Sequence, residues 1–110
     1  MLLVIKKKVT VEQMKKMAED FGGDYIKVVV DVKIGILAGG GERHVDGEQK
    51  LLGIGSKQKD LWGGGIDVKT QQIDYNSMIN LRPSRDNPSR DILSQDIRER
   101  MDGIIKSLIL

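Results

Sequence analysis

Residues 25–32 alternate in hydropathy: Ile26, Val28, Val30 and Val32 share one phase, while Lys27 and Asp31 fall on the other. A period of two in branched apolar residues is the pattern of a strand with one buried face. The apolar phase resumes at Ile34, Ile36 and Ala38, after a break at Lys33 that has room only for a tight turn. Strands joined this closely run antiparallel, because a parallel return needs a crossover of about a dozen residues. The chain is therefore expected to be built on an antiparallel sheet.

With 110 residues there is length for one domain, and residues 1–110 are read as such. Thr10 and Gln13 have the spacing of a capping box, in which each side chain satisfies the other residue's free backbone N–H. Val11, Met14, Met17, Ala18 and Phe21 follow on one helical face, and Gly22-Gly23 supplies a left-handed stop. Near the other end, Ser94 and Asp96 open a helix whose buried face carries Leu93, Ile97, Met101, Ile104 and Leu108. Residues 2–7 read as a short strand, Ile66 and Val68 open another, and Ile73, Tyr75, Ser77, Ile79 and Leu81 line one face of a further one. Between them, residues 39–65 hold nine glycines and read mostly as loop, with a two-turn helix capped by Asp46. The expected class is α+β: a mainly antiparallel sheet of about four to five strands, packed by an N-terminal and a C-terminal helix.

Composition excludes several functions. The chain has no cysteine, which removes disulfide scaffolds, thiolate metal sites and a cysteine nucleophile. Eighteen basic against 16 acidic residues leave a net charge of +2, too little to argue for nucleic acid. The opening apolar run is five residues long with its lysines after it, the reverse of a secretory signal. No stretch reaches the roughly 20 apolar residues of a membrane span. A cytoplasmic location is expected, with no membrane partner.

The single histidine lies in Glu42-Arg43-His44-Val45-Asp46. If this segment is extended, Glu42, His44 and Asp46 point the same way, giving a general base oriented by a carboxylate, or three ligands for a divalent metal. The same residues also read as a surface loop in which Asp46 caps a helix. One histidine without cysteine is a poor inventory for tight zinc, so neither metal nor cofactor is expected. Gly53-Ile54-Gly55-Ser56-Lys57 fails the spacing of a nucleotide-binding P-loop, although its backbone and Lys57 can cradle an anion. Asp60 and Trp62 follow; a tryptophan beside three glycines serves either as a stacking platform or as a plug at the core rim.

The richest polar stretch is Asn80-Leu81-Arg82-Pro83-Ser84-Arg85-Asp86-Asn87-Pro88-Ser89-Arg90. Five of the six arginines fall between Arg82 and Arg100, where a planar fork for phosphate or carboxylate is available in place of a lysine point charge. The alternative is a structural turn, with Asn87 and Ser89 bonded to backbone and Arg82 paired to Asp86 or Asp91.

Three blocks, Gly39 to Asp46, Gly55 to Gly63, and Ser77 to Ser84 with Asn87, Ser89 and Arg90, together resemble a family of small uncharacterised prokaryotic proteins known as a domain of unknown function. The resemblance covers most of the chain and brings no established activity. From the residues themselves, the expectation is a small-ligand-binding protein or enzyme. His44, Glu42 and Asp46 are its candidate catalytic groups. Lys57, Asp60, Trp62, Asn80, Arg82, Ser84, Asn87, Ser89 and Arg90 are its candidate anion-binding groups. A nucleic-acid or regulatory module is the weaker alternative, since Asp86, Asp91, Asp96 and Glu99 interleave with the arginines. The apolar ends, residues 2–5 and 108–110, suggest a homo-oligomer.

Overall fold

The structure, a computed structural model, describes residues 1–110, the side chain of Arg85 excepted. Among the described residues, five strands make one antiparallel sheet: β1 (Leu3–Ile5), β2 (Tyr25–Asp31), β3 (Ile36–Gly39), β4 (Leu61–Asp67) and β5 (Ile73–Asp74), in the spatial order β1-β3-β2-β4-β5. Helices α1 (Val11–Ala18) and α3 (Gln95–Leu108) pack on one face, and α2 (His44–Gly53) on the other. The α+β class and the two terminal helices are as expected.

The local reasons are also those read from the chain. Gln13 N donates to Thr10 Oγ1 at 3.1 Å while Thr10 N donates to Gln13 Oε1 at 3.0 Å, completing the capping box of α1. Gly22 takes the left-handed conformation that ends this segment, with φ of 67°. Ser94 caps α3 by accepting from Ile97 N at 3.2 Å. In the hairpin turn, Asp31 Oδ1 accepts from Lys33 N and Ile34 N, and its Oδ2 accepts from the Ser56 hydroxyl at 2.7 Å. This buried carboxylate therefore ties the turn to the loop after α2.

The sheet separates two apolar clusters. Ile26, Val28, Val30, Trp62 and Ile66 meet Met17, Met101 and Ile105 on one side. Val29, Ala38, Leu51 and Leu61 meet on the other, under α2. Gly47 brings α2 close, since a Cβ there would lie 3.0 Å from Val29 Cγ2. Ile5, Leu108 and Ile109 are buried in the first cluster, with Leu3 and Leu110 packed against it, while Leu2 and Val4 pack against the second and stay half-buried. Among the described residues no helix is long and apolar enough to cross a membrane.

Three expectations are corrected. Residues 61–65 are not loop: they begin β4, a central strand pairing with β2 from Asp31↔Leu61 to Tyr25↔Asp67. Glycines hide this strand from pattern reading and make its packing possible. A Cβ on Gly64 would lie 2.2 Å from the Asp74 carbonyl oxygen, and one on Gly65 1.7 Å from the Tyr25 hydroxyl. The strand expected over residues 73–81 stops at Asp74; after an isolated bridge from Asn76 to Asp91, Ser77 Oγ accepts from Ile79 N and turns the chain into a 3₁₀ turn, Met78–Asn80. Finally, the helix expected from Asp46 begins two residues earlier, at His44, with Arg43 as its N-cap.

The turn is fastened to β4 by Asn80, which is fully buried. Its Oδ1 accepts from Gly63 N at 2.8 Å, and its Nδ2 lies within 3.0 Å of the carbonyls of Gly63, Tyr75 and Arg90. The side-chain amide thus does the work of a missing strand neighbour. Asn87 acts similarly one layer out, donating to the Asn80, Ser89 and Asp91 carbonyls and accepting from Leu93 N.

Three substitutions test this account by thermal or urea unfolding. Asn80→Ala strands the buried Gly63 N–H and carbonyl, while the Tyr75 and Arg90 carbonyls keep the Ile92 and Ser77 N–H donors, and is expected to cost about 3 kcal/mol. Gly64→Ala is expected to cost a similar ~3 kcal/mol, because its obstacle is backbone. Gly103→Ala, in α3 with open space around it, is expected to stabilise by about 1 kcal/mol.

Candidate functional site

On the α2 side, the sheet between β2 and the 74–79 segment is left partly uncovered. The glycines of β4 let Ser77 and Tyr25 lie against the sheet there, and a cleft of about 580 Å³ forms between them. Its walls carry Tyr25 and Lys27 from β2, Arg43 and His44 from the start of α2, Asp74 from β5, and Asn76, Met78 and Arg90 from the loop beyond. That size is sufficient for a small organic ligand.

His44 is the best-defined group in it. Its Nε2 lies 2.6 Å from the Gly64 carbonyl oxygen, an acceptor only, which places a proton on Nε2. In the neutral ring the basic nitrogen is then Nδ1, for which the described residues offer no hydrogen bond. Burial holds the His44 pKa below its ordinary value; the Gly64 carbonyl opposes this and the Lys27 charge adds to it. Tyr25 donates its hydroxyl hydrogen to Asp74 Oδ2 at 2.7 Å. Burial first, and then the Asp74 carboxylate, push the Tyr25 pKa upward, so the phenol stays protonated.

Three cations surround these groups. Lys27 Nζ donates to the Glu42 carbonyl at 2.8 Å and lies 5.5 Å from the centre of the Phe21 ring. Arg43 meets Asp46 at 3.3 Å on the exposed rim. The guanidinium of Arg90 is exposed and has no ion pair among the described residues. Asp74, engaged by Tyr25, is the one carboxylate lining the cleft among the described residues.

The expected acid–imidazole–acid face does not form. With α2 starting at His44, residues 42, 44 and 46 no longer alternate along a strand; Glu42 is exposed, and the Asp46 carboxylate is engaged by Arg43. Among the described residues there is no group of three or more His, Cys, Asp or Glu side chains placed to hold a metal ion.

The other candidates divide. Arg90 joins His44 in the cleft, whereas Arg82 and Ser84 line a second cavity of about 340 Å³ beyond Met78 and Ile79, which border both. Arg82 donates to the Leu61 and Ile79 carbonyls and lies 4.4 Å from the centre of the Trp62 ring. Trp62 is a core residue, 6% exposed. Asn80 and Asn87 are committed to backbone, as described above, and Ser89 Oγ accepts from Asp91 N. Lys57 is exposed and Asp60 half-buried, and neither borders these two cavities. The stretch of six residues from Ser84 to Ser89 contains Arg85, whose side chain lies outside the described residues.

Sequence reasoning missed Tyr25, Lys27 and Asp74. For Tyr25 and Lys27 the available signal was the polar phase of β2, which here faces a cleft and not bulk water.

Because the His44 pKa is depressed, the unfolded chain binds the proton more readily. The histidine's contribution to stability is therefore complete above about pH 6.5 and falls as pH drops toward its folded value. Melting curves at pH 7.5 and 5.5 are expected to differ less for His44→Gln than for the unsubstituted protein.

No curated protein and no solved structure matches this chain. The family described as "Protein of unknown function (DUF5674)" matches residues 3–108, and the chain belongs to that family.

Proposed function

We propose that the cleft binds a small anionic ligand, a phosphoester or carboxylate, and that His44 exchanges a proton with it. The observation that carries this reading is the pairing, in one recess, of an imidazole whose Nδ1 is open with an Arg90 guanidinium that has no ion pair among the described residues. Lys27 and Arg43 add positive charge, and Asp74 is already occupied by the Tyr25 hydroxyl. Arg90 supplies a planar two-point donor for the anion, and Lys27 a fixed charge beside it. Tyr25 remains a protonated neighbour whose hydroxyl can turn from Asp74 to a ligand oxygen.

A nucleic-acid module has less support. Acidic side chains accompany the basic ones: Asp96 meets Arg100 at 3.2 Å, and Asp46 meets Arg43 at 3.3 Å. The one tryptophan is in the core and offers no stacking face.

Anion binding beside His44 favours the imidazolium, so affinity is expected to rise as pH falls through the histidine's folded pKa. Calorimetry with inorganic phosphate and ribose 5-phosphate, with NMR following His44 and Arg90, is the direct measurement. Arg90→Ala is expected to weaken binding about tenfold without lowering the melting temperature. Saturating phosphate and carboxylate ligands that leave the His44 ring signals in place would overturn the proposal.

A further inference from the structure

Glu48 lies one helical turn beyond His44 on α2 and is 6% exposed. Its Oε2 is fully buried without a hydrogen-bond partner, and no salt bridge to either oxygen exists among the described residues. A buried carboxylate without partners is costly; Oε2 is closed off, so it is Oε1, likewise unpartnered among the described residues but not fully buried, through which a group from outside the chain reaches it. Glu48 borders the second cavity, of about 340 Å³, together with Gln58, Lys59, Arg82 and Ser84.

The charges of this lining define what fits. Glu48 repels a purely anionic ligand and calls for an N–H donor. Lys59 and Arg82 together repel a purely cationic one. Arg82 is already turned toward the Leu61 and Ile79 carbonyls and the Trp62 ring, whereas Lys59 is exposed and carries no ion pair among the described residues. A molecule with an ammonium group for Glu48 and a carboxylate for Lys59 satisfies both signs, and the volume is at the small end of ligand sites. The geometry points to a second binding site, separate from the His44 cleft, that takes a free α-amino acid with its ammonium on Glu48 and its carboxylate on Lys59.

The test is an NMR titration of the full chain with glycine, L-alanine, L-serine and L-glutamine, with methylamine and acetate as half-ligands. At least one amino acid is expected to shift the amides of Glu48, Lys59 and Ser84 saturably, while leaving His44 in place. Neither half-ligand should do so at the same concentration. Glu48→Gln is expected to weaken the amino acid about tenfold or more. Without ligand, the same variant is expected to melt no lower than the unsubstituted protein, because it removes an uncompensated charge. The assignment is overturned if no amino acid shifts these amides, if Glu48→Gln binds equally well, or if methylamine alone saturates the site. A lower melting temperature for Glu48→Gln would likewise overturn it, by showing that the carboxylate is held for structure.

Discussion

Gly63, Gly64 and Gly65 occupy the middle of β4, next to the central strand β2, where most sheets carry their bulkiest side chains. Ser77 sits over Gly63, the Asp74 backbone closes on Gly64, and the Tyr25 phenol lies across Gly65. The segment after β5 can then lie so close to the sheet that Asn80 reaches the Gly63 backbone with both ends of its amide. Both cavities exist because this segment is held there. Strand entropy is sacrificed at three glycines, and in return the sheet accepts a second layer of polar chain in place of a second layer of apolar side chains.

The same geometry explains why the polar residues of the 80–90 stretch have such different fates. Those nearest β4 are drawn inward and saturated: Asn80, Asn87 and the Arg82 guanidinium all meet backbone carbonyls. Those farther out, at the loop margin, keep their side chains available, and Arg90 is the clearest example. Arginine enrichment in this part of the chain therefore has two causes, one of them architectural.

Much of the frame was legible because it is written in side-chain periodicity. The hairpin follows from the alternation after Tyr25, α1 from the reciprocal pair Thr10 and Gln13, and α3 from Ser94 and the apolar stripe ending at Leu108. β4 was not legible, since three residues without side chains carry no phase to read. The alternation from Ile73 to Leu81 misled for the opposite reason: it is present, but the Ser77 hydroxyl captures Ile79 N and bends the chain out of the ladder. At the site, His44 and Arg90 stood out as chemically specialised residues. Tyr25 and Lys27 resembled the ordinary wet side of a strand, and Glu48 an ordinary helix glutamate; only the fold distinguishes them from the surface.

Met78 stands 59% exposed on the crest between the two hollows, at the start of a three-residue 3₁₀ turn whose own ladder consists of Asn80 N to Ser77 O and Leu81 N to Met78 O, each at 3.1 Å. A thioether on an unbranched stem is the most pliable partition a protein can build. Displaced toward one side it narrows that chamber and enlarges its neighbour, so the two hollows divide one volume between them through a movable wall.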